Sequence, residues 1–185
     1  EAAIECFANS GFPTQRDEDW KYTSVAAIEN ARFNLLPEPQ YDLLASQVAA
    51  QALPDAHLLV FVNGFLEPGL SRLGRLPPGT ILGSLGYMLE EHPSRLEEVL
   101  VVDNADSAFS DLNLAFMTDG AYVLLPPGAT IKAPVQLFFI ASEANLAIQP
   151  RNLVLAAAGS SATIVEHHMA ARENSYFTNA VTDIV

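Results

Sequence analysis

The chain has 185 residues, 50 % of them hydrophobic, which suits one domain with an ordinary core, or one domain and part of a second. Nine Lys and Arg against 22 Asp and Glu give a formal charge of -13, which repels phosphate backbones and anionic lipid surfaces and disfavours nucleic-acid and membrane partners. The single cysteine, Cys6, excludes an intramolecular disulfide framework and any multi-cysteine zinc or cluster site within the chain, so a reducing, cytoplasmic setting is the default.

In chain order, residues 1–9 are weakly helical, and Asn9, Ser10 and Gly11 supply a stop. Thr14 and Asp17 have capping-box-like spacing, and Asp17, Glu18 and Asp19 favour a helical first turn. Trp20 and Tyr22 then offer an aromatic clasp onto the core. Pro37 and Pro39 mark a linker before a helix over 41–53 that carries Leu44 and Val48 and ends at Pro54. The run 57–62 is β-rich, and Asn63-Gly64 before Phe65 and Leu66 signals a hairpin, to which residues 80–82 would add one more strand. Ser84 reads as the N-cap of a helix to Glu91, Ser94 and Glu97 as a capping box for another, and Asp106 as the cap of a third. That third helix carries Phe109, Leu112 and Phe116, and Asp119-Gly120 ends it.

After Gly120 the pattern turns to β, with strand-like runs at 121–125, 135–141, 153–158, 162–169 and 176–185 between Pro- and Gly-containing turns. Such a succession suits a sandwich, a jelly roll or a β-helix equally. The last run reaches Val185 with no cap, turn or polar tail, which reads as a strand of a longer β structure with an open edge available for self-association.

Chemistry-bearing motifs are sparse. No GxxxxGK(S/T) or GxGxxG phosphate loop occurs, Gly79 and Gly83 belonging to a turn and a short strand, and no G-x-S-x-G elbow surrounds Ser10, Ser84 or Ser160. Cys6 has no adjacent base or cation and reads as a structural thiol. Asp17 to Asp19 lack the glycine turn and ligand alternation of a calcium loop. The one metal-like constellation is Glu166-His167-His168, with His57 and His92 far away in sequence. Strand alternation puts Glu166 and His168 on one face and His167 on the other, and two ligands do not complete a zinc site. A metal-dependent cupin-like or jelly-roll enzyme using Glu166 and His168 is the alternative reading. A carbohydrate-active β-helix has only Glu143, Glu166, Glu173 and Asp183 as acids in the β segment, with no evident convergence.

Residues 11–23, GFPTQRDEDWKYT, closely resemble the N-terminal signature of the SufB/SufD family of iron-sulfur cluster assembly proteins. The segments FVNGF (61–65), LNLAF (112–116) with Asp119-Gly120, VLLPPG (123–128), ATIVEH (162–167) and NAVTDI (179–184) extend that resemblance along nearly the whole chain. His167-His168 stand where the SufB branch continues with Gly-Cys, which favours the SufD branch. The resemblance implies an α+β N-terminal domain of helices and a small hairpin sheet over 1–119, then the opening, incomplete portion of a right-handed parallel β-helix over 120–185. It also implies a non-catalytic scaffold subunit acting with SufB-like and SufC-like subunits, the latter an ATPase. Clusters would be built transiently on the parent complex, with no cofactor in this part of it. No catalytic, cofactor or metal residue carries over, and Glu166 and His168 are the candidates that the residues themselves offer.

Overall fold

The computed structural model describes residues 2–34, 41–96, 99–100, 108–173 and 175–185, with the backbone alone at 41–43 and 95. The first helix, α1 (Ala2–Ser10), ends where the Gly11 N–H closes onto the Phe7 carbonyl at 2.8 Å. Thr14 and Asp17 bond to each other, and the three acids lead into a 3-10 turn, Glu18–Trp20. Trp20 does clasp the body, its ring 5.2 Å from Phe109, whereas Tyr22 is 90 % exposed and takes no part. A short α2 (Ala26–Glu29) follows. The linker expected at Pro37 and Pro39 lies outside the described residues, as does the cap expected at Asp106.

Helix α3 (Tyr41–Gln51) lays Leu44 and Val48 on one face of β1 (His57–Val62), which is buried at all six positions. Asn63 and Gly64, both at positive φ (53° and 90°), make the tight turn into β2 (Phe65–Leu66). Residues 80–82 do not extend this hairpin. Instead β3 (Ile81–Ser84) pairs antiparallel with β4 (Ala121–Leu125), because Leu82 joins the core beside Val123 and Leu125 and Ser84 has to start α4 (Leu85–Glu91). The Ser84 hydroxyl accepts the Tyr87 N–H at 2.9 Å, an N-cap as expected. At Ser94 the described chain makes a 3-10 turn, Pro93–Arg95, in place of the expected α-helix, and position 97 lies outside the described residues. Helix α5 (Ala108–Phe116) packs on α1 and stops short of Asp119-Gly120, which serve a different purpose described below.

From β4 onward the chain repeats one path: β4, β5 (Val135–Ala141), β6 (Ala147–Ile148), then β7 (Arg151–Ala156), β8 (Ile164–Ala170), β9 (Phe177–Thr178) and β10 (Val181–Ile184). Tyr122 pairs Leu153, Val135 pairs Ile164 and Ala147 pairs Phe177, all in parallel, so each strand lies on one roughly 30 residues earlier. The strand orders are β2-β1-β5-β8, β10-β7-β4-β3 and β6-β9. The single run expected over 176–185 is two strands, since Asn179 turns its side chain inward to the Phe109 carbonyl and the Gln149 amide oxygen.

The N-terminal half covers the first of these coils on one side. Strand β1 runs parallel beside β5, β3 antiparallel beside β4, and Asn34 bridges in parallel to Leu146 beside β6. The hairpin is therefore not a separate small sheet but the flank of a four-stranded one. Between the two large sheets lies the main core, with Phe61 stacked on Phe139 at 4.9 Å among Leu59, Val123, Leu137 and Val154. A second layer, Phe138 and Ile140 with Val60 and Leu44, fills the space under α3. Every fully buried side chain of this size contributes roughly 1.5–3 kcal/mol, so the paired layers carry the stability.

Candidate functional site

Strand β8 sits on β5 with Glu166 opposite Leu137 and His168 opposite Phe139, two residues whose side chains belong to the core between the sheets. His167 is opposite Phe138, on the other face. The alternation expected from the sequence is therefore realised, and the rings record it: His168 stacks on Phe139 at 4.8 Å and His167 on Phe138 at 4.3 Å. His167 Nδ1 is 3.3 Å from the Gln136 amide nitrogen.

At the end of the core, Glu166 heads a polar relay. The Ala121 N–H donates to Asn152 Oδ1 at 2.8 Å, Asn152 Nδ2 donates to Thr182 Oγ1 at 3.0 Å, and the Thr182 hydroxyl donates to Glu166 Oε1 at 2.5 Å. His168 Nε2 lies 3.6 Å from the second Glu166 oxygen. The relay crosses from β4 through β7 and β10 to the opposite sheet. His168 first, then the Thr182 hydroxyl and the Asn152 amide, hold the Glu166 carboxyl below its ordinary value, while burial opposes them. Such an arrangement fixes an ionised carboxylate and locks side-chain geometry across the coil.

The other candidates do not join it. His57 accepts the Gly74 N–H on Nδ1 at 3.1 Å, at the start of β1, and His92 is the exposed C-cap of α4. Among the described residues, no group of three His, Cys, Asp or Glu side chains is placed to hold a metal ion. Glu166 and His168 remain two donors, short of a zinc site. Of the acids weighed for a carbohydrate site, Asp183 is paired with Arg151. Cys6 is a half-exposed thiol on α1. A resident iron-sulfur cluster is ordinarily held by several thiolates, and this chain offers one, Cys6.

Two polar centres were missed by sequence reasoning. Arg151, 4 % exposed, bonds Asp183 at 2.8 Å and Asn113 Oδ1 at 3.3 Å, while Asn113 Nδ2 donates to the Pro150 and Asn179 carbonyls, fastening α5 to the coils. Asp119 accepts four hydrogen bonds: from Ser84 Oγ (2.7 Å), Gly86 N–H (2.9 Å), Gly120 N–H (2.7 Å) and Leu66 N–H (2.9 Å). Beside it Gly120 passes so close to β7 that a Cβ there would overlap the Arg151 carbonyl. The only sequence signal for Asp119 was its place in an Asp-Gly pair, which resembles a helix stop.

These features define a class: a protein of stacked parallel strands whose buried polar groups, Asp119 and Arg151 among them, tie strands and helices together. Its family follows from comparison. Residues 1–137 match the family described as the SufBD protein N-terminal region. The chain belongs to the SufBD family. It is 29 % identical over 197 residues to an iron-sulfur cluster assembly SufBD family protein of Synechocystis, covering 100 % of this chain and 43 % of that protein. It is 27 % identical over 189 residues to the iron-sulfur cluster assembly protein SufD of Escherichia coli, covering 96 % of this chain and 40 % of SufD. An iron-sulfur cluster assembly SufBD family protein of Mycobacterium tuberculosis is 33 % identical over 87 residues, 46 % of this chain and 10 % of its own length. The chain thus spans about two fifths of the first and second of these relatives.

Proposed function

We propose that the chain is part of a SufD-like, non-catalytic scaffold subunit that assembles with SufB-like and SufC-like subunits to build iron-sulfur clusters. The observation that carries this reading is the family match across residues 1–137 together with similarity to SufD along 96 % of this chain. His167 and His168 after Glu166 support the SufD side of the family. In this reading the cluster is cargo of the assembled complex, and the setting is cytoplasmic. The stacked strands are the opening portion of a right-handed parallel β-helix, supported by three parallel pairings that recur at one spacing. Buried networks at Asp119 and Arg151 suit a rigid platform better than a site that must reorganise.

The test is co-expression of the full-length protein with SufB-like and SufC-like partners from the same source. A stable three-component complex, able to carry a cluster that the protein alone does not retain after anaerobic purification, is the expected outcome. Failure to co-purify with either partner would overturn the reading. Stoichiometric metal in the isolated protein that disappears in His168→Ala would instead favour a metal-dependent enzyme.

A further inference from the structure

The protein carries nine cationic side chains against 22 acids, so their placement is informative. Three of the nine, Arg72, Arg75 and Lys132, gather around two adjoining surface hollows of 780 and 370 Å³ that share His57, Arg75 and Ala133. Among the described residues no carboxylate forms an ion pair with any of these three side chains. The smaller hollow is lined, among the described residues, by Arg75, Lys132, His57 and Thr130, with no acid in its wall. The larger one has, among the described residues, a single acid, Asp55, and Ala49, Ala52 and Leu53 are in its lining.

The arginine loop is held in place before any ligand arrives. The Arg72 backbone exchanges both hydrogen bonds with Leu58 on β1, at 2.7 and 2.8 Å. Two residues on, the Gly74 N–H donates to His57 Nδ1, which leaves the neutral imidazole its proton on Nε2. Arg75 is thereby set beside Lys132 of the loop that precedes β5. Two cations without a carboxylate partner among the described residues, with a threonine in the same lining, give this concavity a positive wall. Such a surface in a protein of net charge -13 matches an anion and repels cations.

We infer that these two hollows form one binding cleft for a small organic anion, with a phosphate or carboxylate head between Arg75 and Lys132 and an apolar body along the α3 side of the larger hollow. Each hollow has a volume within that of small-molecule sites, roughly 300–1,000 Å³. This cleft is separate from the Glu166 relay and does not depend on the scaffold reading.

Calorimetric titration of the full chain with inorganic phosphate and, separately, with citrate tests the cleft. Saturable binding that weakens with salt is expected, reduced at least about tenfold in both Arg75→Gln and Lys132→Gln and unchanged in Arg16→Gln, a cation away from the cleft. All three side chains are exposed, so the variants should fold, and unchanged circular dichroism verifies it. Saturation by phosphate alone assigns a phosphate head, and by citrate alone a carboxylate head. The inference is overturned if neither anion saturates, if Arg16→Gln loses as much as the cleft variants, or if only an acidic polypeptide binds.

Discussion

Replacing Asp119 by alanine removes the acceptor for four donors at once, on β2, at the β3–α4 junction and at the start of β4. The Gly120 N–H is fully enclosed, so its orphaning costs about 1–3 kcal/mol. The Leu66 and Gly86 N–H groups and the Ser84 hydroxyl are half-buried and regain water in part, adding about 0.5–1 kcal/mol each. Asp119→Ala is therefore expected to lose about 2.5–6 kcal/mol, a large fraction of a typical domain's stability of about 5–15 kcal/mol. Asp119→Asn can keep Oδ1, which takes the Ser84, Gly86 and Gly120 bonds, and turns its NH2 only on the Leu66 N–H, so it should lose less, about 1–3 kcal/mol. Urea denaturation gives the answer through the midpoint at constant m value. If both variants lose less than about 1 kcal/mol, the carboxylate is not the junction that its four bonds imply.

Other outcomes follow from the same structure. The Glu166 carboxyl is held low, so its contribution is present above the unfolded value near pH 4.3 and is lost as pH falls through the folded value. Glu166→Gln should flatten the acid limb of a melting-temperature profile by less than about 1 kcal/mol and leave neutral stability nearly unchanged, since the carboxylate is partly exposed. Arg151→Ala leaves Asp183 and Asn113 without their shared donor and is expected to cost about 2–4 kcal/mol; a double-mutant cycle with Asp183→Ala should recover part of that loss, and strict additivity would deny the pair any coupling. Strands β8, β9 and β10 are edges of all three sheets, and Ile184 is 73 % exposed beside them, so the 185-residue chain should self-associate with rising concentration in light scattering. A monomer throughout would mean that those edges do not pair.

Elements set by local chemistry were legible in the sequence. Asn63-Gly64 specifies a hairpin by its tolerance of positive φ, Ser84 caps a helix with its own hydroxyl, and Leu44 with Val48 marks the buried face of α3. The faces of Glu166, His167 and His168 followed from the period of two. What was not legible depended on distant partners. His57–Val62 is apolar on both faces, so nothing in its pattern says that it lies beside Val135–Ile140 rather than in a local sheet. Two-residue strands such as Ala147–Ile148 are too short to show any period. Asp119 gave no sign of its task because its four donors come from three separate stretches of chain. The cleft around Arg75 and Lys132 joins residues more than fifty positions apart, and charge counting alone concealed it.

The cover that β1, β3 and Asn34 place over one side of the first coil also gives the coils a direction of growth. Ribosomal synthesis delivers His57–Val62 before Val135–Ala141, and that before Ile164–Ala170, so each new strand meets a finished edge on which to register. Because strands of one coil lie about 30 residues from those of the next, the loop to be closed at each step stays short after the first, long closure from β1 to β5. The N-terminal half thus works as a template: β1 and β3 offer the edges on which the strands of the first coil take their register.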